Sequence, residues 1–142
     1  MANQSKSIQE YFNQLKEIDE DFKRSEFFPS ATDEQINNFE KEHNIQIPES
    51  YKQWLRLSNG GYLFGGYVHL YGIDNHQQPS IGNDFSAGKV PKEYQILGYM
   101  ESEHICFNKE NKKFFFYEYS KQSADFDDFN AILDYIIDIC TN

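Results

Sequence analysis

Apolar positions along the chain change from helical to strand-like spacing as the sequence proceeds. Ile8, Phe12, Leu15, Ile18 and Phe22 recur at steps of four and three, which puts them on one side of a helix within residues 6–24. Glu10, Glu17, Asp19 and Asp21 lie mostly off that stripe, and Pro29 after Phe27-Phe28 breaks the pattern. Thr32 with Gln35 three residues later predicts a capping box, and Asp33 and Glu34 suit the positive end of the helix dipole. Ile36 and Phe39 are the core contacts of this second helix, which His43-Asn44 ends. Ile45-Gln46-Ile47 reads as a short extended link. Pro48 then opens a third helix with Tyr51, Trp54 and Leu55 inward, and Asn59-Gly60-Gly61 is the predicted stop.

From Tyr62 to Tyr71 strand formers dominate, and Gly65-Gly66 in their midst signals a bulge or a tight bend. Residues 72–93 read as a long irregular connection of the kind that tends to be functional or mobile. Strands are expected at Tyr94–Met100, His104–Asn108 and Lys113–Tyr119, with the polar residues 109–112 as a hairpin loop. Asp125 is the expected cap of a last helix whose apolar face is Phe126, Phe129, Leu133, Ile136 or Ile137, and Cys140. Helices, then strands, then a helix predict an α+β fold. Its centre is a mostly antiparallel sheet of about four to six strands, flanked by N-terminal helices and a C-terminal helix.

Composition agrees with a packed domain: 13 Phe, 10 Tyr and 1 Trp make up 17% of the 142 residues. No apolar run reaches the roughly 18 residues of a membrane span, and the N-terminus lacks a signal-peptide hydrophobic region, so a cytoplasmic protein is expected. Cys106 and Cys140 form no metal-ligand spacing and are expected as reduced, largely buried thiols. A net charge of −10 disfavours nucleic acid and anionic lipid as partners and favours a basic protein.

Catalytic patterns are weak. Gly60 and Gly65 have the outer spacing of a phosphate loop, but Gly66-Tyr67 stands where Lys and Ser/Thr are required. His43, His69, His76 and His104 include no helical i, i+4 pair and are expected at the surface or partly packed. Asp74 and His76 alternate near a loop without a further ligand, and Ser58 and Ser86 lack a nucleophile-elbow context. No catalytic residue, metal site or cofactor is assigned.

The run Ala31-Thr32-Asp33-Glu34-Gln35-Ile36, then Phe39-Glu40, Ile47-Pro48, Tyr51, Leu55 and Asn59-Gly60-Gly61, resembles the opening signature of the SUKH superfamily. Ile105-Cys106-Phe107, Phe116-Tyr117-Glu118 and the closing helix with Phe126 and Phe129 are similar to its later pattern. The resemblance covers roughly residues 30 to 140, leaving residues 1–29 as a variable helical element of one domain spanning 1–142. The shared signature is Thr32, Ile36, Phe39, Ile47, Pro48, Tyr51, Trp54, Leu55, Asn59, Gly60 and Gly61.

That superfamily groups fungal cell-wall-assembly regulators of the Smi/Knr type with many bacterial immunity proteins. The resemblance implies a non-catalytic binding domain, foremost an immunity protein that neutralises a secreted toxin, with basic nucleases and deaminases among the candidate partners. A regulatory scaffold module and a small-ligand sensor using residues 72–93 as a lid are the alternatives. Fungal relatives usually embed the domain among long disordered tails, so a chain without them is expected to follow the bacterial branch. The acidic candidates for partner binding are Asp74, Asp84, Glu101, Glu103, Glu118, Asp125, Asp127 and Asp128. Asp125, Asp127 and Asp128 also suit the first turn of the last helix. Exposed members of the aromatic surplus would serve as interface anchors.

Overall fold

A computed structural model of the chain describes residues 6–22 (side chains to 18), 25–73, 80–81, 90–118 and 121–141. The first helix, α1, spans Ile8–Phe22 and buries Ile8, Tyr11 and Leu15, with Phe12 and Ile18 half-buried beside them. Tyr11 thus holds a deeper place than Phe12. Helix α2, Asp33–His43, carries the predicted capping box: Gln35 N donates to Thr32 Oγ1 at 3.1 Å and Thr32 N to Gln35 Oε1 at 2.9 Å. Asn44 closes it in the left-handed region at φ 54°.

Helix α3 is Glu49–Leu55, with Pro48 at the cap position and Tyr51, Trp54 and Leu55 fully buried. It ends at Leu55, earlier than the glycine pair suggests. The chain instead turns as the Ser58 amide donates back to the Trp54 carbonyl at 2.9 Å. Asn59-Gly60-Gly61 does not stop the helix but launches the first strand. Gly60 has φ 91°, and a Cβ there would lie 2.7 Å from the Leu70 carbonyl oxygen. Trp54 Nε1 and Ser58 Oγ both donate to the Gly60 carbonyl, at 3.0 and 2.7 Å.

The strands are β1 Gly61–Leu63, β2 Val68–Leu70, β3 Tyr94–Met100, β4 Glu103–Asn108, β5 Lys113–Glu118 and β6 Lys121–Gln122. They form a six-stranded meander in chain order, every pair antiparallel. Of the two readings of Gly65-Gly66, the tight bend holds: the pair turns the chain between β1 and β2 at φ 69° and 90°. The register shifts between Ile96 and Gly98, and a Cβ on Gly98 would run into the His69 carbonyl oxygen. The Tyr51 hydroxyl is placed there too, within hydrogen-bond reach of the Tyr71 carbonyl at 2.5 Å and the Leu97 carbonyl at 3.2 Å. Burial pushes its phenol pKa well above the usual value.

Helix α4, Phe129–Thr141, lies over β5 and touches α1 and α3. It begins later than predicted, and its cap is Asp128, which accepts the Ala131 amide at 2.9 Å, not Asp125. Phe126 precedes the helix, because its amide and carbonyl are both bonded to Phe114 of β5, at 2.7 and 2.9 Å. A backbone committed to a strand-like bridge cannot also begin a helical turn. Phe129, Ile132, Leu133, Ile136 and Ile137 are the buried face. Cys106 is buried and Cys140 half-buried, and neither is in a disulfide.

One histidine departs from expectation. His69 is 2% exposed, stacked on Tyr62 at 4.2 Å and edge-on to Tyr71 and Tyr99. Its place in β2 puts it opposite Tyr99 in the register, where strand alternation buries it among rings. His43 is exposed on the ring of Phe39, His104 is half-buried, and His76 lies outside the described residues.

Candidate functional site

Two turns of the sheet and the end of one helix meet at one end of the molecule. In the β1–β2 turn, Phe64 has φ 54° and is followed by the two glycines. Tyr67 then ties this turn to the next one. Its carbonyl accepts the Glu101 amide at 2.8 Å, and its hydroxyl donates to Glu101 Oε1 at 3.2 Å. Glu101 itself sits at φ 58° in the β3–β4 turn. Beside it, the Ser102 hydroxyl donates to Glu118 Oε2 at 2.7 Å, which draws the last residue of β5 into the group.

Glu103 feels both of the other carboxylates. Its pKa is raised from the ordinary 4.5, first by burial and then by the negative charges of Glu118 and Glu101. Burial and Glu101 likewise raise the Tyr67 phenol. A groove of about 600 Å³ opens here, lined by Phe64, Gly65, Gly66, Tyr67, Glu101, Ile139 and Cys140.

The other acidic candidates lie elsewhere. Asp127 pairs with Lys113 at 2.6 Å, at the start of β5. Five residue steps at about 3.3 Å each put roughly 17 Å between Lys113 and Glu118 along the strand. Lys113 lowers the Asp127 pKa through that hydrogen bond and is itself raised by it. Asp128 caps α4, and Asp125 accepts from Gln122 Nε2 at 3.3 Å. Close by is a second depression of about 710 Å³, between Ile47-Pro48 and the Lys109–Lys112 side of the β4–β5 hairpin. Asp74 and Asp84 lie outside the described residues, as do residues 74–79 and 82–89 of the expected lid. Glu101, Glu103 and Glu118 are therefore brought together, and Asp125, Asp127 and Asp128 form a separate group.

The signature residues build the scaffold. Ile36, Phe39, Ile47, Tyr51, Trp54 and Leu55 are core, and Asn59 clamps Ile73, accepting its amide at 2.8 Å and donating to its carbonyl at 3.0 Å. Sequence reasoning did not single out Tyr67, Ser102, Tyr135 or Ile139. Tyr135 and Ile139 had a signal: large apolar residues four apart on a helix, off its predicted core stripe. Among the described residues, no three His, Cys, Asp or Glu side chains converge as ligands of a metal ion would. No helix among them is long and apolar enough to cross a membrane.

Fold and surface define an α+β domain in which an antiparallel meander presents a partly apolar groove with an acidic border. The chain belongs to the SMI1 / KNR4 family (SUKH-1), whose model matches residues 30–134. Family membership supports a general role as a protein-interaction domain. A search of curated proteins gave no match.

Proposed function

We propose that this protein is a cytoplasmic immunity protein that binds a secreted bacterial toxin domain directly and blocks it by occlusion, without catalysis of its own. The observation that carries the reading is the family match over residues 30–134, in a superfamily whose bacterial members include many immunity proteins. Charge supports it: a net −10 attracts the basic cleft of an enzyme that handles nucleic acid and speeds encounter with it. The carboxylates of Glu101, Glu103 and Glu118 strengthen that attraction locally, since among the described residues none of them is in an ion pair.

Co-expression with the toxin domain encoded beside its gene tests the idea. Protection of the cells, and a stoichiometric complex on gel filtration, are the expected outcomes. Unprotected cells together with separate elution of the two proteins would remove the reading.

A further inference from the structure

Helix α4 leaves two large apolar side chains open on its outer side. Tyr135 is 38% and Ile139 40% exposed, and no other large hydrophobic residue among those described is as open. They stand four residues apart and so lie one above the other on one helical face. Tyr135 rests tilted on Phe116 and edgewise against Phe126, and Ile139 shares the groove with Phe64 and Tyr67. The open face of α4 thus runs into the groove.

The two turns that form the groove are hydrogen-bonded to each other through Tyr67 and Glu101. Phe64 and Glu101 are two of the four described non-glycine residues with positive φ, and both are in its lining. Such backbone persists only where surrounding structure fixes it, and it concentrates at binding and catalytic sites. Its border is negative, because Glu101 belongs to the lining and Glu103 and Glu118 crowd beside it. Lys121 faces Glu118 in the strand register without forming an ion pair. An incoming cation would relieve repulsion among these carboxylates without displacing a lysine or arginine among the described residues. An apolar neighbour of that cation would cover Ile139 and Tyr135, removing both from water.

We propose that the groove between the β1–β2 turn and the end of α4 binds a cationic segment of a partner protein. A lysine or arginine of that segment meets Glu101, Glu103 and Glu118, and an adjacent apolar side chain lies on Tyr135 and Ile139. The inference rests on the reading of this chain as a protein-binding domain and adds the surface and its chemistry. A toxin that processes nucleic acid carries such basic segments where it holds phosphates.

The test uses a synthetic peptide of alternating arginine with leucine and tryptophan, and the same peptide with glutamate for arginine, titrated against the full chain by backbone-amide NMR. Saturable shifts at residues 64–67, 101–103, 118 and 135–140 with the arginine peptide only are expected. Glu101→Gln combined with Glu118→Gln, and separately Ile139→Ala, should each weaken binding about tenfold, while Asp127→Asn should stay within about twofold. Raising salt from about 50 mM to about 300 mM should weaken the parent protein more than the double variant.

Absence of saturable binding, shifts centred on residues 109–112 and 125–128, or groove variants that bind like the parent would each overturn the inference. The same variants are then scored for protection against the neighbouring toxin. Peptide binding at the groove without toxin neutralisation would sink the immunity reading and leave the groove standing. Full protection by the groove variants would sink the groove assignment and leave the immunity reading standing.

Discussion

The two ends of strand β5 carry acidic residues in two different states of satisfaction. At the Lys113 end, Asp127 meets a lysine, Asp128 holds the first turn of α4, and Asp125 accepts from Gln122. At the Glu118 end, Glu101 and Glu118 accept only hydroxyl groups among the described residues, and Glu103 is crowded by both. The first arrangement joins the closing helix to the sheet. The second brings like charges together beside an open groove and contributes nothing comparable to the packing. One residue class therefore serves packing at one end and, among the described residues, stays outside any ion pair at the other.

The largest effect is expected at Phe129. Its ring is fully buried against Tyr51, Trp54 and Phe114, at the end where α4 begins. Phe129→Ala should lower stability by about 3–5 kcal/mol in urea unfolding. A loss below about 1 kcal/mol would mean that this end is not where the helix is secured. Asp128→Ala comes next: removal of the cap should cost about 1 kcal/mol, read from the same urea midpoint. If Asp125→Ala costs more than Asp128→Ala, the cap assignment is wrong.

Acid should act on the two ends with opposite sign. The Glu103 pKa is raised in the folded chain, so folded protein holds that proton to higher pH than unfolded protein does. Its contribution to stability accordingly falls as pH rises from the ordinary 4.5 through the folded value, and returns on acidification. Asp127 is the reverse: its pKa is lowered, and its contribution is present above the ordinary 3.8 and lost as pH falls through the folded value. Glu103→Gln should remove the rise in stability on acidification between pH 7 and the ordinary glutamate value, measured as urea midpoints across that range. An unchanged profile would show that the crowding of carboxylates has no energetic consequence. The smallest effect belongs to Asp127→Asn, because the pair is at the surface with Asp127 86% exposed. Its urea midpoint at neutral pH should match the parent's within measurement error.

Much of the fold was legible because local chemistry and tertiary structure agree. Thr32 with Gln35 is a capping box in sequence and in space, and the strand patterns of β3, β4 and β5 are correct to within a residue or two. The failures sit where distant partners decide. Phe126 was drawn out of α4 by its bridge to Phe114, and Asn59-Gly60-Gly61 serves the start of β1 because Gly60 presses on Leu70 and Gly72. Strand β6 has only Lys121 and Gln122, too short to carry a pattern of its own. For the site, the acidic residues could be counted from sequence but not grouped. Glu101, Glu103 and Glu118 become neighbours only through the β3–β4–β5 register, which the spacing of charges along the chain does not encode.

The meander has a consequence for the order in which this surface comes into being. Each strand pairs with the one before it in the chain, so that, apart from the long connection 71–93 between β2 and β3, the sheet can grow by successive hairpin closure. Helices α1 and α4 meet across the sheet's full run of sequence, with the Tyr11 hydroxyl reaching Asp134 at 3.3 Å, and that union needs every residue between them to have been made. Ile139 enters the groove only from a docked α4. During synthesis the hairpins can therefore form before α4 docks and before Ile139 reaches the groove.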